Sequence, residues 1–135
     1  MYLNKLSNEQ KELFLDICIH AAMSNTIFSD EERETIDQYC DEMKLNNVRY
    51  EAIFDFKTAV SKLIEISSRA ELKIVALELT ALIISDKKYD DYEREVMNYF
   101  ISQVGIDENN YNEVSSLLNE LWIIYSKIND FVFNS

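Results

Sequence analysis

One stretch of the sequence, LKIVALELTALII at residues 72–84, constrains the fold more than any other. Its only plainly polar residues are Lys73, Glu78 and Thr80. A helix of this composition is apolar almost all the way round, and such a helix is stable only when other elements cover it on every side. The stretch therefore predicts a central buried helix.

The same layout occurs 61 residues earlier in the chain. Residues 13–23 are again apolar nearly all round, and in both places a short polar segment and an acidic helix start follow. These starts, SDEE at residues 29–32 and DDYE at residues 90–93, have the form of a capping box. This self-similarity predicts a duplicated helix-loop-helix unit, over about residues 7–45 and 68–106.

The composition favours an all-α fold. The chain of 135 residues contains one glycine and no proline, so it lacks the turn residues that β-rich and α/β proteins use at their corners. A chain of this length fits one domain. We expect residues 1–135 to form a compact single-domain bundle of about six to seven helices, in which residues 13–23 and 72–84 are the two central buried helices.

Local signals place the other helices. The first starts at the capping box of residues 7–10, and another capping box at residues 68–71 opens the central helix. Spaced apolar residues predict one short helix over residues 48–56, followed by another to residue 66. Gly105 fits a left-handed helix C-cap, and Asp107 fits the N-cap of a final helix.

The charge of the chain is strongly acidic, with a formal net charge of −12. Binding to nucleic-acid phosphates or to an anionic membrane requires a cationic surface, so the charge argues against both. Residues 30–42 hold seven acids against one arginine, on a helix whose apolar stripe is Ile36, Tyr39, Cys40 and Met43. Such acids commonly form a solvated face. The alternative is a surface for a basic protein partner, formed by Asp30, Glu31, Asp37, Asp41 and Glu42.

Cellular location follows from what the chain lacks. Cys18 and Cys40 lie in apolar helical patterns without metal-ligand spacing, which predicts buried thiols in a reducing compartment. The first residues have no signal-peptide core, and the apolar stretches are shorter than the ~20 residues that span a bilayer. We expect a cytoplasmic protein that does not insert into membranes.

The sequence offers no recognisable catalytic set. The single histidine, His20, fits a core or rim position better than a catalytic one, and neither cysteine has an evident histidine partner. Glycine-rich phosphate loops, nucleophile elbows and HExxH zinc motifs are all missing from the sequence. These observations predict a protein that is not an enzyme.

The two acidic helix starts are candidates for a divalent cation site. Carboxylate and amide oxygens suit Ca²⁺ or Mg²⁺, although the spacing is not that of an EF-hand. Helix capping and the helix dipole explain the same acids without any ion. The predicted ligands of a weakly bound cation are Asn25, Asp30, Glu32, Asp86, Asp90, Asp91 and Glu93.

Two matching segments, MSNTIFSDEER at residues 23–33 and ISDKKYDDYER at residues 84–94, carry a family resemblance. An apolar helix, a turn and an acidic helix start ending in Glu-Arg, repeated after about sixty residues, resembles the TerB-like tellurite-resistance family and the related domain of DnaJ-type co-chaperones. The resemblance implies a compact helical fold that brings the acidic turns together, and a non-enzymatic role in bacterial stress responses that involves divalent metal. Where the family has Asp-Gly, this chain has Asn25-Thr26 and Asp86-Lys87. The first turn thereby loses a charge, and Lys87 and Lys88 in the second oppose cation binding.

These observations lead to two functional hypotheses. The first is a non-enzymatic TerB-like stress-response module that acts through protein contacts, with a weak Ca²⁺ or Mg²⁺ site at its acidic turns. The alternative is a small acidic inhibitor or immunity-type protein that covers a basic surface of its partner, such as the nucleic-acid site of a nuclease.

Overall fold

The structure, a computed structural model, describes residues 2–22, 30–45, 49–84 and 91–134. Within these ranges the chain forms six α-helices and one 3-10 turn, and no strand. This confirms the predicted all-α class. After the 3-10 turn Leu3–Lys5, the helices are α1 (Asn8–Ala22), α2 (Asp30–Glu42), α3 (Phe56–Ile66), α4 (Arg69–Ile84), α5 (Asp91–Val104) and α6 (Glu108–Phe133).

The chain separates into two units, Met1–Gly105 and Ile106–Ser135. The first unit contains α1 to α5 and nearly all of the buried apolar side chains, and the second contains α6. The largest fully buried side chains of the first unit include Phe14, Phe100, Leu79 and Met43. The core on which the candidate site depends therefore lies within residues 1–105.

Helices α1 and α4 are the central helices of the first unit. Every residue of 13–22 is buried except His20, which is half-buried, and Lys73 is the only exposed residue of 72–84. Both helices pack against α2 and α5, and α1 packs most extensively against α3. The predicted burial of these two stretches is confirmed for their described residues.

The predicted capping boxes at residues 7–10 and 68–71 are confirmed by paired hydrogen bonds. The Gln10 amide donates to the Ser7 hydroxyl at 3.2 Å, and the Ser7 amide donates back to the Gln10 side chain at 2.8 Å. In the second box the Glu71 backbone amide donates to the Ser68 hydroxyl at 3.2 Å, and the Ser68 backbone amide donates to the Glu71 carboxylate at 2.8 Å. Each box satisfies two amides that a helix N-terminus otherwise leaves without a backbone partner.

The limits of the helices follow the 61-residue offset seen in the sequence. Helices α1 and α4 start at residues 8 and 69, and α2 and α5 start at residues 30 and 91. The ends also correspond, because Lys44 and Gly105 both have left-handed backbones, with φ of 57° and 76°. At the end of α2 the Lys44 amide donates to the Asp41 carbonyl and the Leu45 amide to the Cys40 carbonyl, both at 3.0 Å, which is a Schellman motif.

The prediction of a short helix over residues 48–56 is wrong for the residues of this range that the structure describes. Residues 49–55 are non-helical, and α3 begins only at Phe56, where the Asp55 side chain accepts a hydrogen bond from the Thr58 amide. The amides of Ile53 and Phe54 donate to the Asp16 carboxylate instead of to helical carbonyls. A long-range side-chain contact thus holds this segment in an irregular conformation.

Candidate functional site

Helix α2 has one buried face and one exposed acidic face. The apolar stripe predicted from the sequence is buried as expected, with Ile36 and Cys40 at zero exposure. Residues 30, 34, 37 and 41 recur at helical spacing on the opposite side of the helix. We call the exposed carboxylates of this helix the α2 acidic face; they are Asp30, Glu31, Glu34, Asp37 and Asp41.

Contacts from α1 and α4 fix the orientation of this face. The Tyr39 hydroxyl donates to the Glu78 carbonyl at 2.6 Å, and the ring of Tyr39 packs against that of Phe14 with centroids 5.4 Å apart. The ammonium of Lys11 donates to the Met43 carbonyl at 3.1 Å, where a cation also complements the helix dipole. Because Tyr39 and Met43 lie at the C-terminal end of α2, these contacts orient the part of the helix that carries Asp37 and Asp41.

One edge of the α2 acidic face contacts the segment that precedes α3. The Tyr50 hydroxyl donates to the Asp37 carboxylate, and the Arg33 guanidinium lies over the Tyr50 ring, 4.6 Å from its centroid. The hydrogen bond to Asp37 raises the pKa of the Tyr50 phenol. Of the five residues predicted to bind a partner, Asp30, Glu31, Asp37 and Asp41 are exposed and Glu42 is half-buried.

A buried carboxylate that is not among the predicted site residues anchors this neighbouring segment. The side chain of Asp16 is 2% exposed and forms an ion pair with Arg49. It also accepts hydrogen bonds from the amides of Ile53 and Phe54 at 3.0 and 3.1 Å, while Arg49 makes a second ion pair with Glu12 at 2.9 Å. The sequence contained a signal for this anchor: Asp16 is the only acid inside the apolar stretch 13–23, and a buried carboxylate requires partners.

The predicted cation ligands are only partly described by the structure. Asn25, Asp86 and Asp90 lie outside the described residues, and Glu32 lies in the first turn of α2. Asp30 and Asp91 are exposed, whereas Glu93 is 2% exposed. Over residues 2–22, 30–45, 49–84 and 91–134, no three His, Cys, Asp or Glu side chains gather in a way that fits a metal ion.

The two buried cysteines and the half-buried histidine lie in surroundings that suit a structural role. Burial, reinforced by Glu78, raises the pKa of the Cys18 thiol well above its ordinary value, and burial also raises the pKa of Cys40. Both cysteines are therefore poor nucleophiles at neutral pH. The Nε2 atom of His20 lies 2.8 Å from the Phe54 carbonyl, so this nitrogen carries the proton and donates it. Of the two positions expected for His20, core or rim, its intermediate burial fits the rim.

Comparisons with known proteins give no relative from which a function can be transferred. No protein-family model, curated protein or solved structure matches the chain. Among the helices that the structure describes, none combines the length and the apolar character needed to cross a bilayer. The function of this chain must therefore be inferred from its own residues.

Proposed function

We propose that this chain is a non-enzymatic, cytoplasmic TerB-like stress-response module that acts by binding a protein partner through the α2 acidic face. The observation that carries the proposal is the contrast between this face and the corresponding face of α5. Residues 30–42 hold seven acids and Arg33, a net charge of −6, whereas residues 91–103 hold three acids and Arg94, a net charge of −2. At the 61-residue offset, Asp37 corresponds to Asn98 and Asp41 to Ser102.

Apart from the hydrogen bond that Tyr50 donates to Asp37, the fold does not require this difference in charge. Asp37, Asp41, Asn98 and Ser102 are all exposed, and both helices bury their apolar stripes in the same unit. Neutral polar residues therefore suffice for solvation at these positions on α5, and the additional carboxylates of α2 need another explanation. Electrostatic attraction of a basic partner supplies one, because complementary charge speeds association and excludes wrong partners.

The test is to neutralise two acids of the face and measure a partner's affinity. Affinity capture with the wild-type chain identifies the partner, and Asp37→Asn with Asp41→Asn removes two charges while keeping side-chain shape. We expect affinity to fall about three- to tenfold, mainly through slower association, since exposed ion pairs contribute about 0.2–1 kcal/mol each. The loss should shrink as salt screens the charges.

The matched control removes the same amount of charge elsewhere. Glu113→Gln with Glu120→Gln neutralises two exposed acids of α6, and this variant should bind the partner as the wild type does. If the partner binds the wild type and the α2 variant with equal affinity, the α2 acidic face is not the contact surface. Equal losses in both variants would attribute binding to net charge alone.

The second candidate is an acidic inhibitor or immunity-type protein, and the density of carboxylates on α2 favours it. Such a protein mimics the phosphates that its target binds, so nucleic acid should compete with it for the captured partner. Competition by a short duplex supports this candidate, whereas simultaneous binding of duplex and chain supports the stress-response module. An adjacent toxin gene or adjacent stress genes discriminate between the same two candidates.

The TerB-like resemblance adds a weak Ca²⁺ or Mg²⁺ site to the leading proposal. The described residues do not include a complete set of metal ligands. We therefore propose that binding to the partner does not depend on a metal ion. Millimolar cation should raise the melting temperature if the site exists, since a ligand at 100 times its Kd stabilises by about 2.7 kcal/mol. Glu93→Gln, which keeps the hydrogen-bonding shape, should reduce that rise, whereas a flat titration of the wild type would leave helix capping as the role of these acids.

A further inference from the structure

Helix α6 carries an uninterrupted heptad pattern. Its apolar residues recur at alternating spacings of three and four, which is the 3.5-residue period of helices that pack along a shared seam. The pattern occupies seven successive a and d positions along one helix of 26 residues, about 39 Å in length. These positions are Tyr111, Val114, Leu118, Leu121, Tyr125, Ile128 and Val132.

Four of the six e and g positions between residues 111 and 133 are apolar, the other two being Ser115 and Asn129, and the charged residues lie away from the seam. Leu117, Ile124 and Phe131 occupy g positions, and Trp122 occupies an e position. In this register Glu113, Glu120 and Lys127 all fall at c, and Asp130 falls at f. From residue 111 to residue 133 no charge lies at a, d, e or g, and charge depletion of this kind is typical of the centre of a protein interface.

This face is exposed over most of its length. Leu118 is buried, but Leu117, Tyr125, Ile128 and Val132 are all more than half exposed, at 57, 52, 51 and 58%. Together the exposed side chains at a, d, e and g present roughly 800 Å² of mainly apolar surface. The largest apolar patch on a typical monomer covers about 300–600 Å², whereas each side of a standard protein interface covers about 800 Å².

We propose that two copies of this chain associate through the a, d, e and g positions of α6. The area matches what a stable dimer requires, and a face without charges is self-complementary because no like charges meet at the seam. An anionic membrane fits less well, since Lys127 is the only basic residue of α6 and interfacial helices depend on lysine and arginine. Dimerisation would make the module bivalent, which goes beyond the binding role proposed for α2.

The test is the mass of the 135-residue chain in solution as a function of concentration, measured by sedimentation equilibrium. At micromolar concentrations we expect the measured mass to be twice that of one chain, which is 15.9 kDa. Added salt should strengthen the dimer, because it screens repulsion between two copies of charge −12 while leaving the apolar contact intact. A chain that stays monomeric up to about 100 μM, in low and high salt, would overturn the proposal.

Two matched substitutions locate the contact. Ile128→Asp places a charge at a d position, and Ile123→Asp places the same charge at an f position of similar exposure, 51 against 55%. We expect Ile128→Asp to raise the dimer Kd by about 100-fold or more, because an unpaired charge would be buried in the seam. Ile123→Asp should leave the Kd within about threefold of wild type.

Other results would contradict the seam assignment. Equal loss of the dimer in both variants would show that general hydrophobicity causes association, and an unchanged dimer in Ile128→Asp would place the contact elsewhere. Helical circular dichroism of both variants guards against misreading an unfolded helix as a lost interface. Binding of the wild type to phosphatidylserine vesicles without dimerisation would favour the membrane surface and reject the second copy.

Discussion

Replacing Asp16 with alanine should destabilise the first unit more than any change in its surface charges. The substitution removes the buried end of the Asp16–Arg49 ion pair and the acceptor of two backbone amides, those of Ile53 and Phe54. Breaking a buried ion pair typically costs 3–5 kcal/mol. Arg49 remains 20% exposed and keeps its contacts to Glu12 and to the Glu51 carbonyl, so we expect the lower end of this range, about 3 kcal/mol.

Urea denaturation measures this loss directly. With a slope of about 2 kcal/mol/M, a loss of about 3 kcal/mol lowers the unfolding midpoint by about 1.5 M. Double-mutant cycles with Arg49→Gln separate the two ion pairs of this arginine. We expect a coupling energy above about 1.5 kcal/mol for Asp16→Asn and below about 1 kcal/mol for Glu12→Gln, whose side chain is 47% exposed.

The same substitution should disturb the segment beside the α2 acidic face, because Asp16 anchors the residues around Tyr50. Faster hydrogen exchange at the amides of Ile53 and Phe54 is the expected local sign. A cost of less than about 1 kcal/mol for Asp16→Ala, or equal couplings for the two carboxylates, would refute the view that Asp16 organises this segment.

Three further predictions concern the core and the ends of the helices. Leu79→Asp buries an unpaired charge at a fully buried site and should abolish cooperative unfolding, so a variant that melts like the wild type would refute the central position of α4. Both Lys44 and Gly105 have φ > 0, a conformation that favours glycine. Lys44→Gly should therefore raise the free energy of unfolding by about 1 kcal/mol, and Gly105→Ala should lower it by a similar amount. The midpoints of denaturant unfolding check the sign of both changes. The hydrogen bonds from Ser68 lower the pKa of Glu71 in the folded state. The stability that Glu71 contributes is therefore fully present above the pKa of about 4.3 in the unfolded chain, and it is lost as pH falls through the lower pKa of the folded state. Glu71→Gln should therefore flatten the acid limb of a stability-against-pH curve, and an unchanged limb would count against this assignment.

Features encoded by neighbouring residues were predictable from the sequence. The capping boxes at residues 7–10 and 68–71, the Gly105 C-cap and the Asp107 N-cap each depend on residues within four positions of one another, and their hydrogen bonds or backbone angles confirm them. The boxes predicted at residues 29–32 and 90–93 begin outside the described residues. The buried stripe of α2 followed from helical spacing. Periodicity also indicated which stretches are central, because a helix that is apolar all round has no face to expose to water.

Features that depend on distant pairing were not predictable in the same way. Asp16 and Arg49 are 33 positions apart, and no periodic pattern links them. The apolar residues around Ile53 imitate a helical face, yet Ile53 is 68% exposed and its amide is bound by Asp16. The exposure of the apolar side chains of α6 was also open, since the sequence pattern fits packing on the same chain as well as on a partner.

The most direct test of the α2 acidic face as the contact surface is site-specific photocrosslinking in cells. A photoreactive phenylalanine replaces Asp41 in one variant and Ser102, the exposed corresponding position on α5, in the other. The proposed function predicts a discrete crosslinked partner from position 41 and little or none from position 102. Equal yields from the two positions, or a partner captured only from position 102, would contradict it.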